Sequence, residues 1–312
     1  MSPTPVEPLP GFGERVWVKR DDLCSPLYGG NKVRRWEWVL GEARAKGIRR
    51  LFTVGGLGST QVVSLAAHGR AAGFAVEALL FDQPDSAFLA EAARSMKGFD
   101  AHVERSGGYL RTAARTVARL LASGDAQPPT RALGEGALFV PPGASGPLAN
   151  LGYVDALLEL EAQIDAKLLP RPDAIVLPSG SGGTAAALAL TAALVGLRCE
   201  VVAVRITERI ASNTLTLGAI ARATGRLVRA RGGPAAPWSL PLRVEHRFAG
   251  RGYGHSTPEA ERGAARFSEW FGAPGEITYS GKAIAALERL ALERPRDTLL
   301  LWNTLSTTGR SP

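Results

Sequence analysis

The chain has 312 residues, of which 45% are apolar, 21% charged and 7% aromatic, a composition that excludes wholesale disorder. The length fits two domains or one large α/β unit. The formal net charge is +8, but the arginines that dominate it are scattered along the chain, so no nucleic-acid partner is expected.

Three further features bear on location. The N-terminus has neither a basic start nor an apolar block, so no secretory signal is expected. No run approaches the roughly 18 apolar residues of a membrane span. Two cysteines, Cys24 and Cys199, cannot form a disulfide framework. These features together predict a cytoplasmic protein without membrane contact.

Short β-branched runs alternate with longer amphipathic segments along the chain. Strands are predicted at 16–20, 51–55, 74–81, 174–178, 200–206 and 298–302. Helices are predicted at 31–46, 60–72, 86–97, 109–123, 147–167, 183–195, 257–271 and 281–293. Repeated strand-to-helix crossovers predict an α/β fold with open, twisted, mostly parallel sheets flanked by helices.

Two loop-rich stretches, 124–137 and 141–147, interrupt this alternation near the middle of the chain. They suggest that residues 47–152 form a small domain with its own sheet. Residues 1–46 and 153–312 would then form the large domain.

Ligands of open α/β sheets bind at the C-terminal ends of strands, so glycine-rich turns that lead into helices are the candidate functional positions. In the first, Gly29 and Gly30 precede the helix at 31–46, and Lys32 stands in its first turn. The positive end of a helix lowers the pKa of a lysine, which favours the neutral amine that a Schiff base needs. Among the six lysines, only Lys32 and Lys282 lie in glycine-flanked turns that open helices.

The second turn lies between a buried strand and an Ala/Leu-rich helix and reads Ser179-Gly180-Ser181-Gly182-Gly183-Thr184. Its backbone N–H groups and hydroxyls predict a phosphate-binding cradle at a helix N-terminus. The Walker lysine is missing, which argues against a P-loop NTPase. A dinucleotide fold stays open, with Ala185 in the third glycine position and Glu208 as the ribose-binding acid, although Glu208 lies beyond the usual ~20-residue spacing.

The third turn runs from Gly55 to Gly58, and Ser59, Thr60 and Gln61 follow at a helix start. These groups and the neighbouring amides would bind a small anion such as a carboxylate, or hold a reactive hydroxyl. A plain N-cap is the alternative role for Ser59.

Near the C-terminus, Tyr253 and Tyr279 stand on glycine-rich turns, where a hydroxyl that faces a cleft can transfer a proton. Half-buried packing is the more ordinary role of tyrosine. Ser280 is placed as the N-cap of the following helix. The histidines and cysteines show no metal-ligand spacing, so no metal site is predicted.

Seven segments carry a family resemblance in their order and spacing: TPVEPL (4–9), VWVKRDDL (16–23), GGNKVRRWEWVL (29–40), GGLGSTQ (55–61), PSGSGGTAAAL (178–188), GYG (252–254) and YSGKAIAAL (279–287). Together they resemble the 1-aminocyclopropane-1-carboxylate deaminase / D-cysteine desulfhydrase family. Its members are pyridoxal 5′-phosphate (PLP) enzymes of fold type II, with the cofactor between two domains. They are commonly homodimers that act on small amino acids.

The resemblance implies roles for the cofactor-binding positions. Lys32 would hold PLP covalently and later move protons at the substrate Cα. Asn31 would hydrogen-bond the phenolic oxygen of PLP, and the turn at 179–184 would hold its phosphate. Tyr279 and Ser280 would also contact the cofactor.

For the substrate, the resemblance implies that Ser59, Thr60 and Gln61 bind the carboxylate, with Ser59 also a candidate nucleophile or proton carrier. Tyr253 and Tyr279 match two active-site tyrosines. Thr60 replaces the asparagine of the family.

Ser280 bears on the type of reaction. Deaminases of this family have glutamate there, facing the pyridine nitrogen, whereas desulfhydrase-like members have threonine. A hydroxyl leaves the nitrogen closer to neutral and makes the ring a weaker electron sink, which suffices for α,β-elimination. The resemblance therefore predicts a PLP-dependent lyase that releases an α-keto acid, ammonia and a leaving group, with D-cysteine as the first candidate substrate.

Several alternatives stay open. Within PLP chemistry they are ring opening of the cyclopropane amino acid and β-replacement on an activated serine. Thr60 and a segment after Trp302 without the family's two glycines also fit a PLP-fold protein without turnover. A nicotinamide-dependent oxidoreductase is the most distant alternative.

Overall fold

The computed structural model describes residues 3–83, 87–122, 132–133 and 137–309. In chain order the strands are β1 (Val6–Pro8), β2 (Val16–Lys19), β3 (Arg50–Gly56), β4 (Ala75–Phe81), β5 (His102–Gly107), β6 (Ala132–Leu133), β7 (Ala137–Val140), β8 (Ala174–Ser179), β9 (Glu200–Arg205), β10 (Leu242–Glu245) and β11 (Leu299–Trp302). The helices are α1 (Val33–Ala45), α2 (Thr60–Ala71), α3 (Ala87–Gly98), α4 (Tyr109–Ala122), α5 (Pro147–Asp165), α6 (Gly183–Val195), α7 (Thr214–Ala230), α8 (Pro258–Phe271) and α9 (Ser280–Glu293). Short 3₁₀ turns lie at Gly13–Arg15, Asp21–Leu23 and Pro142–Ala144.

The described strands form two sheets. The larger has the order β1-β2-β11-β8-β9-β10 and is parallel except for the β1–β2 pair. The smaller has the order β5-β4-β3-β7-β6 and is parallel except for the β6–β7 pair. The predicted α/β class with two mostly parallel sheets is therefore confirmed. The domain boundaries stay a prediction.

All the predicted strands and helices are present, with ends shifted by two residues at most. Five described strands were not predicted with the others, namely β1, β5, β6, β7 and β10, and neither was α7. The strand β5 is an edge strand, exposed over its first four residues, so it has no apolar run to detect. Most of the predicted loop at 124–137 lies outside the described residues.

The helix α6 explains why an Ala/Leu-rich segment follows the second glycine-rich turn. Its residues from Gly183 to Ala192 are all buried, because the helix packs against α5, α7 and the larger sheet. A helix enclosed on all sides needs apolar residues around its whole circumference. This burial fixes the N-terminus of α6, and with it the predicted cradle, at the C-terminal end of β8.

The helix α1 joins the core of the smaller sheet although it precedes that sheet in the chain. Trp36 and Val39 belong to a buried cluster that also contains Leu51, Leu65 and Leu138. The start of α1 is held by Arg34, whose guanidinium donates to the fully buried carboxylate of Asp21 at 2.8 and 2.9 Å. Lys32 is thereby fixed where the two sheets meet.

Asp21 is the centre of this buried polar network. One carboxylate oxygen accepts hydrogen bonds from Thr4 and Arg34, and the other accepts from Tyr153 Oη at 2.9 Å and Trp302 Nε1 at 2.6 Å. Such a complete set of donors compensates the cost of burying the charge.

Of the helices described, none is long and apolar enough to cross a lipid bilayer.

Candidate active site

A cavity of about 670 Å³ is lined by residues from the loops of both sheets. It lies at the C-terminal ends of β3 and β8, which is where an open α/β sheet presents its ligands. The structure brings together the three glycine-rich turns and both tyrosines. The predicted site residues that line it are Asn31, Lys32, Ser59, Thr60, Gln61, Ser179, Gly180, Ser181, Gly182, Gly183, Thr184, Tyr253 and Tyr279.

Lys32 lies immediately before the first residue of α1 and has helical backbone angles. Burial lowers its pKa to about 7, and the charge of Arg35 contributes to the same effect. The lowered pKa agrees with the sequence prediction, but its main cause is burial and not the helix dipole. This lowered pKa favours the neutral amine, the form that attacks an aldehyde.

The turn at 179–184 connects β8 to α6 and is held by polar contacts from three directions. Thr184 Oγ1 accepts a hydrogen bond from Arg35 at 2.8 Å, Ser181 Oγ contacts Ser145 Oγ, and Thr207 Oγ1 donates to the Gly180 carbonyl at 3.3 Å. The first N–H groups of a helix have no acceptor within the helix. The turn therefore presents N–H donors to the cavity from a fixed position.

Arg35, which was not predicted from the sequence, lies behind the cavity and contacts the cradle through Thr184. Its guanidinium is buried and donates to the Ala144 carbonyl at 2.8 Å, to Asn150 Oδ1 at 2.6 Å and to Thr184. These acceptors are neutral, and Arg35 Nε has no hydrogen-bond partner within the described part of the chain. A buried cation beside the cradle favours an anionic ligand there. Its position one turn after Lys32 was the only signal in the sequence.

The start of α2 combines two of the predicted roles. Ser59 is the N-cap, with its Oγ accepting from the Val62 N–H at 3.4 Å, and it also lines the cavity. Gln61 donates from Nε2 to Thr53 Oγ1 at 2.8 Å, and its Oε1 accepts from the Gly143 N–H. Because both ends of the Gln61 amide are engaged, this side chain holds the loop after β7 against α2.

Tyr253 and Tyr279 form a pair at the side of the cavity. Tyr279 Oη donates to Tyr253 Oη at 3.3 Å, and the rings meet edge to face with centroids 5.9 Å apart. Burial raises the pKa of both phenols, and the hydroxyl of Tyr253 raises that of Tyr279 further. Both phenols are therefore protonated at neutral pH and can act as proton donors.

Ser280 is buried but does not line the cavity. Its Oγ donates toward the Glu276 carbonyl and Oε1, both at 3.1 Å. The buried Glu276 carboxylate also accepts from the backbone N–H groups of Thr278, Tyr279 and Ser280, and so caps α9. Ser280, predicted as the N-cap, is instead the first residue of α9, and Glu276 was not predicted because a carboxylate four residues upstream is not a recognised capping position.

One cavity of this two-sheet α/β chain contains a lysine with a pKa of about 7 and a glycine-rich turn suited to a phosphate. This combination is typical of PLP-dependent enzymes. The sequence comparison agrees. The chain belongs to the family described as "Pyridoxal-phosphate dependent enzyme", which matches residues 1–304. The cofactor is therefore PLP, and the nicotinamide alternative is wrong.

Three known proteins are similar to this chain over nearly its whole length. A Nocardicin C-9′ epimerase from Nocardia uniformis subsp. tsuyamanensis is 36% identical over 309 residues, covering 98% of this chain and 91% of the relative. A D-cysteine desulfhydrase from Serratia proteamaculans is 28% identical over 305 residues, which is 95% of this chain and 88% of the relative. The crystal structure of a homologue of 1-aminocyclopropane-1-carboxylate deaminase shares the fold, with a TM-score of 0.78, 23% identity and coverage of 99% and 91%. The predicted family resemblance is confirmed.

The residues of this cavity fit PLP. The cofactor carries an aldehyde, which needs a neutral amine, and a phosphate, which needs N–H donors and positive charge. Lys32 would supply the amine and the first turn of α6 the N–H donors, while the buried charge of Arg35, which binds Thr184 of the cradle, would favour the anionic phosphate.

Proposed function

We propose that this protein is a PLP-dependent lyase that removes the α-proton of a small amino acid and eliminates a group from Cβ, in the manner of a D-cysteine desulfhydrase. The observation that carries the proposal is the lysine with a pKa of about 7 in the same cavity as the cradle and the start of α2. The amino-acid chemistry is favoured by the similarity to a D-cysteine desulfhydrase over nearly the whole chain.

PLP supplies the electron sink that makes the α-proton acidic. Lys32 is the base that takes this proton, since an amine with a pKa near the working pH is an effective proton carrier. The N–H groups at the start of α2, with Ser59 and Thr60, bind the substrate carboxylate at the positive end of the helix.

Tyr253 is the acid in this proposal. Because Tyr279 donates the proton of the bond between the two hydroxyls, the proton of Tyr253 is available to the cavity. Tyr253 gives this proton to the leaving sulfur when the Cβ–S bond breaks. With one water, cysteine then yields pyruvate, ammonia and hydrogen sulfide.

We further assign Ser280 to the pyridine nitrogen, as the family resemblance implies. Its hydroxyl donates its single hydrogen to Glu276, so it can donate to the nitrogen only when that hydrogen bond is broken. A neutral hydroxyl at this position favours elimination over the opening of a cyclopropane ring.

Epimerisation is the second candidate, because the epimerase from Nocardia is 36% identical over almost the entire chain. It begins with the same removal of the α-proton. It then returns a proton to the opposite face of Cα, for which the protonated tyrosine pair is a suitable donor. Elimination and epimerisation therefore share the removal of the α-proton and differ in the next step, which is loss of a group from Cβ or return of a proton to Cα.

One experiment separates these functions. The holoenzyme is incubated in D₂O with D- and L-cysteine and with amino acids that lack a leaving group, and NMR follows deuterium at Cα, stereochemistry and keto acid. Pyruvate and sulfide from cysteine support elimination, whereas inverted, deuterated amino acid without keto acid supports epimerisation. Absence of both products and of exchange across the panel overturns the proposal.

The matched variants are Lys32→Ala and Lys97→Met. Lys32→Ala removes the amine, so the visible absorption band of lysine-bound PLP and the exchange should both disappear. Lys97 is exposed on α3, and Lys97→Met should retain both.

The assembly and location are proposed on the same family resemblance. We propose a homodimer in the cytoplasm that binds a small amino-acid substrate. Light scattering of the holoenzyme tests the assembly, and a mass of about one chain contradicts it.

A further inference from the structure

Lys282 is the second lysine that lies in a glycine-flanked turn at a helix start, and the proposed function does not use it. Its side chain is fully buried in the first turn of α9. A cation there is opposed by the helix dipole and by desolvation. A lysine in such a position requires compensation from specific contacts.

The compensation comes from the loop between β10 and α8. Lys282 Nζ donates to the carbonyls of Ala249 at 2.8 Å and of Gly252 at 3.2 Å. The same carbonyls close two successive turns, since Ala249 also accepts from the Gly252 N–H and Gly252 from the His255 N–H. Gly252 has a φ of +116°, a backbone conformation that glycine adopts at little cost and other residues do not.

The residue that follows Gly252 is Tyr253, whose hydroxyl meets that of Tyr279. Tyr279 is the residue before α9, the helix that carries Lys282. The ammonium thus connects the two segments that bring the tyrosine pair together. The charged groups that act on it electrostatically are Glu276 and Arg205, while its hydrogen-bond acceptors are neutral carbonyls.

We propose that Lys282 is a positioning residue for the proton donor: it fixes the Ala249–Gly252 loop so that Tyr253 Oη stays at the Tyr279 hydroxyl in the cavity. This inference rests on the proposed function for its catalytic consequence. The placement of the loop itself does not depend on which reaction the enzyme performs.

The test is a double-mutant cycle of Lys282→Met and Tyr253→Phe in the holoenzyme, with Lys97→Met as the exposed control. Lys282→Met should lower kcat roughly 10- to 100-fold with little change in KM, because a displaced acid loses part of the contribution of general acid catalysis. Lys282→Met should have little further effect when Tyr253 is already phenylalanine. Full additivity of the two losses overturns the proposal, since a merely structural role would act independently of the Tyr253 hydroxyl.

A second measurement does not require turnover. Hydrogen exchange of the apoprotein should be faster at residues 249–255 in Lys282→Met and unchanged along α6. Unchanged exchange at 249–255 overturns the proposal, and an inactive wild-type enzyme with the expected exchange overturns only the proposed function.

Lys282→Met can fail to fold, and Gly252→Ala then provides the test with the lysine intact. Its positive φ is unfavourable for alanine, so the carbonyl that Lys282 binds must move. Gly252→Ala should reproduce the loss in kcat and be non-additive with Tyr253→Phe. Wild-type kcat in Gly252→Ala overturns the proposal.

Discussion

Lys32 and Arg35 lie one helical turn apart at the start of α1, and the buried guanidinium of Arg35 helps to lower the pKa of the Lys32 amine. Burial has the larger effect and brings this pKa to about 7. Arg35 also holds Thr184 in the cradle. One buried cation therefore acts on both ends of the proposed cofactor site.

The first prediction concerns the pH dependence of cofactor loading. Only the neutral amine attacks the PLP aldehyde, so the loading rate of the apoprotein should rise with pH and level off above about 7. Stopped-flow absorbance of the visible band measures this rate. A rate that still rises at pH 9 would show that the pKa of Lys32 is not lowered to about 7.

Arg35→Met extends this test, with Arg44→Met on the exposed end of α1 as control. Without the nearby charge the pKa of Lys32 should rise. The pH at which the loading rate reaches half its maximum, the half-point, should therefore move to a higher value. Arg44→Met should leave the half-point in place. Equal half-points in all three proteins would contradict the electrostatic role of Arg35.

The second prediction concerns the contact between the loop after β7 and the cradle. Gly143 has a φ of +73°, and a Cβ there would lie 1.9 Å from Ser181 Oγ. Gly143→Ala should therefore displace the cradle and weaken PLP binding about tenfold or more, equivalent to roughly 1.4 kcal/mol. Fluorescence titration of the apoprotein with PLP measures the Kd.

Gly41→Ala is the matched control for Gly143→Ala. Gly41 lies within α1, and a Cβ there meets nothing within 4 Å. Its replacement should leave the Kd for PLP unchanged and raise stability by about 0.5–1 kcal/mol through helix propensity. A PLP affinity of Gly143→Ala equal to that of Gly41→Ala would refute the close contact.

The third prediction concerns the buried network at Asp21. Asp21→Asn replaces an acceptor-only carboxylate with an amide and leaves Arg34 without its buried partner. The loss should be about 3–5 kcal/mol of unfolding free energy, measured by denaturant titration. Asp165→Asn, at the exposed end of α5, should change stability by less than about 0.5 kcal/mol.

The fourth prediction concerns acid stability. Burial alone would raise the pKa of Glu159, but hydrogen bonds and charges of Arg34 and Lys19 outweigh it and hold the pKa at about 2. This carboxylate is more acidic in the folded protein than in the unfolded chain. Its contribution is therefore complete above about pH 4.5 and is lost as the pH falls toward 2.

The measurement is the unfolding free energy of wild type and Glu159→Gln between pH 2 and 6. The difference between the two proteins should be largest at pH 6 and should shrink steadily below pH 4.5. A difference that is independent of pH would mean that Glu159 is not the titrating group.

Much of the fold and of the site was predictable because each depends on local patterns. Repeated strand-to-helix alternation gave the class, and glycine-rich turns marked where the chain approaches a ligand. Lys32 and the turn at 179–184 were found because each lies in a glycine-rich turn that leads into a predicted helix. The edge strand β5 has no buried face over most of its length, and no pattern of apolar residues can reveal it.

The sequence by itself determined the α/β class and the elements that bear the three turns, because periodicity and turn chemistry act over a few residues, and the resemblance of its motifs indicated the family. Only the tertiary structure decided that Arg35 lies buried among neutral acceptors, that Glu276 engages Ser280, and that Lys282 binds a loop some thirty residues away. These contacts join segments that are distant in the chain, or they bury a charged residue that would ordinarily be exposed. Their formation depends on which surfaces the packed sheets and helices remove from water.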